Sequence, residues 1–385
     1  MKPPWDAPSW QESGDNAWAR GCRLLQGWWR EELLQLPPGP KTRKAGDRLV
    51  VSMLALDAPA GANFLTEDAY RAALDRLAGS SGAGIVAEDR LKRNLLSSQP
   101  ACFNLFGPFV GLPALLLPWV QSIDPSCVTV ESLEFEWAPS PARHFKGGSA
   151  FDAAIFYTDG SGRCFLGVEC KYSEDLRKND PRKVRDVYRS YTDDSGYWRE
   201  GAARRLDRPG LRQLWINTLL AQSICDRDDF ERGTHVVVAC AADVAAAESA
   251  GKIRTELHDP DRWLRWSPYE QVLEALASTA DPTWSDQFLQ RYCDFGPVAH
   301  LLTPDDPRLE PPEVMTDGLS DLLSAGRRVT GDGSVLEQIL EALTERRLTV
   351  DEIDLRALNA RAAELAIDLK MFRQTLADPH GQIRP

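Results

Sequence analysis

The feature that most constrains this chain is a pair of apolar, strand-length runs joined by a four-residue turn. Residues 150–158 (Ala150-Phe151-Asp152-Ala153-Ala154-Ile155-Phe156-Tyr157-Thr158) lead into Asp159-Gly160-Ser161-Gly162. Residues 163–171 (Arg163-Cys164-Phe165-Leu166-Gly167-Val168-Glu169-Cys170-Lys171) lead back out. Residues two apart on a strand share a face. Phe165, Gly167, Glu169 and Lys171 therefore point one way, and Leu166, Val168 and Cys170 the other. A strand apolar on both faces belongs at the centre of a sheet. Asp152, Glu169 and Lys171 are costly there unless each finds a partner.

The turn limits how they meet. If Gly160-Ser161 form a two-residue hairpin loop, paired residue numbers sum to 321 and Asp152 lies opposite Glu169. Their Cβ atoms are then roughly 4.5–5.5 Å apart. If Asp159-Gly160 form the loop, Asp152 faces Gly167 and Glu169 is its diagonal neighbour on the same face. Both registers group two carboxylates with one lysine, and a three-residue loop would not. Carboxylates this close repel unless positive charge sits between them. Hard oxygen donors on a rigid strand pair suit Mg²⁺ or Mn²⁺. Such an ion polarises a phosphoryl oxygen and acidifies water, with Lys171 positioning the water or stabilising charge on the phosphate. The competing reading is a buried Asp–Lys–Glu cluster without catalysis, which gains little over apolar packing.

Composition removes other chemistries. The eight cysteines contain no C-x-x-C pair, which excludes zinc ribbons, thioredoxin-like motifs and iron–sulfur spacing. Scattered thiols in a long chain fit a reduced, cytoplasmic protein, and Met1-Lys2-Pro3-Pro4 opens no secretory signal. Asn94–Ile123 carries no charge, but Pro100, Pro108, Pro113 and Pro118 interrupt it. It reads as buried core, not as a membrane span. None of the five histidines has metal-ligand spacing. Cys170 faces away from Glu169 and Lys171 and reads as a packed thiol.

Four regions follow. Residues 1–84 form a helical, Trp-rich region, with Trp18, Cys22, Leu25 and Trp29 at helical spacing, a helix over 66–78 and a hinge at Gly79–Gly84. Residues 85–296 form the core: a helix at 86–97, strands at 128–137, 150–158, 163–171 and 235–239, and helices at 210–224, 260–278 and 283–293. Residues 297–332 read as a linker. Residues 333–385 form a helical hairpin with capping boxes at Ser334–Glu337 and Thr349–Glu352. Its apolar seam, Leu355–Leu376, packs within the chain or serves a homodimer.

Asp152 followed by Glu169-Cys170-Lys171 on a strand–hairpin–strand resembles the D…(D/E)-x-K signature of the PD-(D/E)XK nuclease superfamily. The chain also resembles restriction-endonuclease-like bacterial proteins through Asn94–Gln99 and Phe103–Gly107. Phe151 stands where the signature has proline. The resemblance implies an α/β (α+β) restriction-endonuclease-like core, a mixed central sheet flanked by helices, here with helical N- and C-terminal additions. It implies Asp152 and Glu169 as metal ligands, Lys171 serving the nucleophilic water and Gln213 orienting it. Gln213 and Asn217 share one helix face. Many members add a carboxylate from the first core helix; Glu88 is the leading candidate and Glu136 its rival.

Between Lys171 and Arg212 there are 12 Lys/Arg against 8 Asp/Glu, inside a protein of net charge −12, and half of the eight tyrosines. Arg182, Lys183, Arg189, Arg204 and Arg205 are the expected phosphate contacts, with Tyr172, Tyr188, Tyr191, Tyr197 and Trp198 available to stack on bases. A solvated, salt-bridged surface is the alternative. The expectation is a Mg²⁺- or Mn²⁺-dependent phosphodiesterase acting on nucleic acid, DNA before RNA, in bacterial defence or DNA processing. An inactive nuclease-fold module that binds nucleic acid or a protein partner is the alternative.

Overall fold

The central hairpin forms with the first of the two registers. In the computed structural model, which describes residues 12, 14–43, 47–79, 87–145, 149–174, 184–228 and 230–302, pairing runs from Thr158↔Arg163 to Ala153↔Val168. Gly160 takes the positive φ of +84° that a two-residue loop demands. Asp159 accepts the Ser161 and Gly162 amides at 2.9 and 3.0 Å. The two strands, β4 (Phe151–Thr158) and β5 (Arg163–Cys170), are nearly continuous in their burial.

Ahead of them come β1 (Pro38–Pro40), β2 (Leu49–Leu54) and β3 (Thr129–Trp137); β6 (Arg232–Ala239) and β7 (Leu264–Pro268) follow. The main sheet has the order β3-β4-β5-β6-β7, antiparallel through β5 and parallel from β5 to β7. β1 and β2 form a separate ribbon. The helices are α1 (Ala17–Trp28), α2 (Glu67–Ala78), α3 (Glu88–Arg93), α4 (Ser98–Phe106), α5 (Leu117–Ile123), α6 (Asp186–Asp194), α7 (Ala202–Leu206), α8 (Arg212–Arg227), α9 (Val244–Arg254), α10 (Pro260–Trp263), α11 (Tyr269–Leu276) and α12 (Pro282–Tyr292).

Strand alternation divides the core. Ala153, Ile155, Leu166, Val168, Cys170 and Val238 face one side, against Leu25 of α1, Phe103 of α4, Trp119 of α5, Leu273 of α11 and Phe288 of α12. Ala154, Phe156 and Phe165 face the other, against Leu220, Ala221 and Ile224 of α8. Gly167 is glycine for a steric reason, since a Cβ there would lie 2.7 Å from the Phe151 ring. The residue that stands at the proline position thus packs over β5.

The uncharged stretch is mostly buried from Leu95 to Phe109, whereas Val110 and Leu112 beyond it are exposed. Among the described residues no single helix is long and apolar enough to cross a membrane, and Ser98–Phe109 and Pro113–Ile123 meet at a 110° bend. Several elements depart from expectation. The helix read at 86–97 covers only Glu88–Arg93, and Asn94 instead bridges Met53. Residues 260–278 are not one helix: β7 lies within them, and its Leu264-Arg265-Trp266-Ser267 run is too short and mixed to signal a strand. α9 is Ala-rich and lacks a clear apolar stripe, and β2 hides between two helices. Residues 303–385, with the C-terminal hairpin and most of the linker, lie outside the described residues.

Candidate active site

The hairpin register places Asp152 one step beyond Ala153↔Val168, opposite Glu169. On the other side of β4, Phe135↔Ala153 and Trp137↔Phe151 bracket Glu136 opposite Asp152. Three carboxylates thus lie in one row across β3, β4 and β5. Glu136 has the left-handed φ of +50°, rare for a non-glycine residue and common where a site holds a side chain out of the regular pleat. Arg76 of α2 pins that turn by donating to the carbonyls of Phe135 and Glu136 at 3.0 and 3.1 Å. Gln99 of α4 donates to Glu136 Oε1 at 2.8 Å.

Each of the other groups is tied down. Asp152 Oδ2 accepts the Cys170 amide at 2.7 Å. Lys171 Nζ donates to Glu169 Oε1 at 2.6 Å and to Gln213 Oε1 at 2.9 Å. Gln213 Nε2 also donates to Glu169 Oε1, and Asn217 Nδ2 donates to Glu169 Oε2 at 2.6 Å. Gln213 and Asn217 lie one turn apart on α8, which covers the face of the sheet to which Glu169 and Lys171 point. Behind the strand, Tyr269 Oη donates to the Lys171 carbonyl at 2.6 Å and lies 2.9 Å from Cys170 Sγ.

The electrostatics are unbalanced. Glu169 and Lys171 are buried, whereas Asp152 and Glu136 keep some solvent access. Burial, then Glu169, then Glu136 push the Asp152 carboxyl well above its ordinary value. Burial and, after the opposing Gln99 hydrogen bond, the charge of Glu169 raise Glu136. Burial alone would lower Lys171, but Glu169, Glu174 and Asp152 outweigh it and hold the lysine above its ordinary value. The surrounding acids thus favour the ammonium form of Lys171. His235 lies beneath as a neutral imidazole, lowered to about 3 by burial and then by Lys171.

Hard oxygens with surplus negative charge match a divalent cation of the Mg²⁺ class. Among the described residues, however, the carboxylates do not close into one tight ligand cluster, because Glu169 is turned onto Lys171 and α8.

The structure puts Glu88 elsewhere. It is exposed in the first turn of α3, and its carboxylate is 2.8 Å from Lys92. Its place in sequence resembled the acid of a first core helix, but the register of β3 brings Glu136 to the row instead.

The insert also differs from expectation. Tyr172, Tyr188 and Trp198 are buried, the latter two in a cluster with Trp215 of α8. Tyr191 and Tyr197 both donate to Asp226. Stacking on bases is closed to the buried rings, since packing has taken their faces. Arg189 pairs with Asp186 and Asp207, and Arg205 with Glu256. Arg204 is exposed on α7. Arg182 and Lys183 lie outside the described residues.

Sequence reasoning passed over Asp243. It is buried, caps α9 through the Ala246 amide at 3.1 Å, and is pushed up to about 7 by burial, with Glu174 raising it and Lys171 opposing. Only a generic capping position marked it. It also passed over Gln99 and Ser98, although both fall within the Asn94–Gln99 signature. Ser98 Oγ donates to Glu174 at 2.6 Å, so adjacent residues at the start of α4 hold two acids of this region. A cleft of about 390 Å³, lined by Arg90, Ser97, Ser173 and Glu174 together with Arg23 and Lys41, opens beside the strand end.

A mixed five-stranded sheet flanked by helices, with acids and a lysine at one end of its antiparallel hairpin, defines a restriction-endonuclease-like core. The model of the PD-(D/E)XK nuclease superfamily matches residues 13–294, and the chain belongs to that superfamily, whose members are mostly nucleases and typically use divalent metals. No curated protein and no solved structure gives a match.

Proposed function

We propose that this protein hydrolyses phosphodiester bonds of nucleic acid, DNA before RNA, with Mg²⁺ or Mn²⁺ held by Asp152, Glu169 and Glu136. The observation that carries this reading is the row Glu136–Asp152–Glu169 with a single lysine bonded into it. Three acids against one lysine are more carboxylates than this end of the fold readily keeps ionised, which is why Asp152 and Glu136 are pushed up, and buried ionic clusters add little stability over apolar packing. When bound, the cation supplies positive charge toward a phosphoryl oxygen and acidifies water.

The chain's own residues do the rest. Lys171, cationic and aimed along the strand end, stabilises charge that develops on the phosphate in the transition state. Gln213 fixes Lys171 against Glu169, and Asn217 holds the second oxygen of Glu169. The Cys170 amide orients Asp152. Gln99 and Arg76 keep Glu136 in its left-handed conformation, so that its carboxylate is presented without a rotamer search.

The test is a cleavage panel with wild type and Asp152→Ala on supercoiled DNA, linear duplex, single-stranded DNA and RNA, each with Mg²⁺, Mn²⁺ or EDTA. Metal-dependent cutting lost in the variant supports the proposal and ranks the substrates. A folded wild type that cuts none of them overturns it in favour of a binding module.

A further inference from the structure

A second cluster of ligating groups lies behind the catalytic strand, and the nuclease chemistry does not use it. Cys240 directly follows β6, Glu270 is in the first turn of α11, and Cys293 caps the C-terminus of α12. Their ligand atoms all lie within 4.8 Å of one another. Cys240 Sγ is 3.4 Å from Glu270 Oε1, while Glu270 Oε2 accepts the Ala241 amide at 2.9 Å. Cys240 is buried, and Glu270 and Cys293 are partly open to solvent.

We infer that Cys240, Cys293 and Glu270 form a binding site for a thiophilic divalent cation of the zinc class, separate from the carboxylate row. Two thiols and one carboxylate are the donors that zinc selects, unlike the all-oxygen set on β3–β5. With Zn–S about 2.3 Å and Zn–O about 2.0–2.2 Å, a tetrahedral ion holds sulfur and oxygen ligands about 3.5 Å apart. The Cys240–Glu270 distance already matches that edge. The Ala241 amide fixes the far oxygen of the carboxylate, the role that outer partners play at metal sites. A water molecule would complete the tetrahedron.

The three ligands come from separate elements, so the ion would fasten α11 and α12 to the end of β6. Glu270 follows Tyr269, which holds the Lys171 carbonyl and the Cys170 thiol. The site therefore acts as a clamp at the back of the catalytic lysine.

The test uses the full chain, reduced and freed of metal, titrated with Co²⁺ and then Zn²⁺. One equivalent of Co²⁺ should give a thiolate-to-cobalt charge-transfer absorption that Zn²⁺ abolishes. Cys240→Ser and Cys293→Ser should each lose the band, and Asp152→Ala should keep it, which separates this site from the carboxylate row. Zn²⁺ should also block alkylation of Cys293 in the wild-type protein, a readout that needs no variant. Absence of the band, its persistence in the serine variants, or unchanged alkylation of Cys293 overturns the inference.

Discussion

Glu169 of β5 and Lys171, just past its end, form an ion pair at 2.6 Å, and so do Arg205 of α7 and Glu256. Side-chain exposures separate them: 6% and 3% for the first pair, 40% and 15% for the second. At the hairpin end, Glu169 and Lys171 are shielded from water and the acids outnumber the lysine. In the insert, each of Arg189 and Arg205 meets an acid within reach of solvent. A surface pair of this kind contributes little, whereas removing one partner of a buried pair leaves a costly bare charge. Distance therefore does not mark the site. Surplus charge held where water is scarce does.

The comparison can be tested from its strongest arm downward. Lys171→Ala should lower the cleavage rate by roughly 10²–10³-fold, the effect of removing a preorganised charge donor; single-turnover kinetics on the preferred substrate, with circular dichroism to verify folding, would show it. Glu136→Gln should cost at least about 10–100-fold in cation affinity or rate, the loss that even the outer partners of metal ligands cause, while Glu88→Gln stays near wild type. Equal effects in a Mn²⁺ titration would remove Glu136 from the row.

Asp243 tests the cost of burial itself. Its folded value of about 7 lies above the ordinary 3.8, so the folded state holds the proton more tightly than the unfolded state. The stability this gives is complete below about 3.8 and is lost as pH rises toward 7. Asp243→Asn keeps a good N-cap and removes the charge. Its melting temperature should exceed wild type at pH 8, by up to roughly 4 kcal/mol in stability, and converge with it near pH 4. A constant offset across pH would contradict the assignment. The smallest effect belongs to the insert. A phosphate-contacting arginine steepens the salt dependence of binding by about 1. Arg189→Ala and Arg205→Ala should leave that slope unchanged, because both side chains are engaged with acids of the same chain.

Local information carried the hairpin. A two-residue loop closes with little entropy and fixes register at once, so the opposition of Asp152 and Glu169 was legible from the turn, within two alternatives. The helix bearing Gln213 and Asn217 was legible from spacing. The aromatic residues of the insert were not, because composition does not say whether Tyr188 and Trp198 meet nucleic acid or Trp215.

The sequence by itself determined the central strand pair, the face shared by Asp152, Glu169 and Lys171, and the largely buried course of residues 95–109. These follow from side-chain alternation and from contacts between near neighbours. Tertiary structure alone decided that Glu136, not Glu88, joins the row, that β7 extends the sheet, and that Cys240 meets Cys293. Each depends on the pairing or packing of segments far apart in the chain, where periodicity gives a face but not a partner.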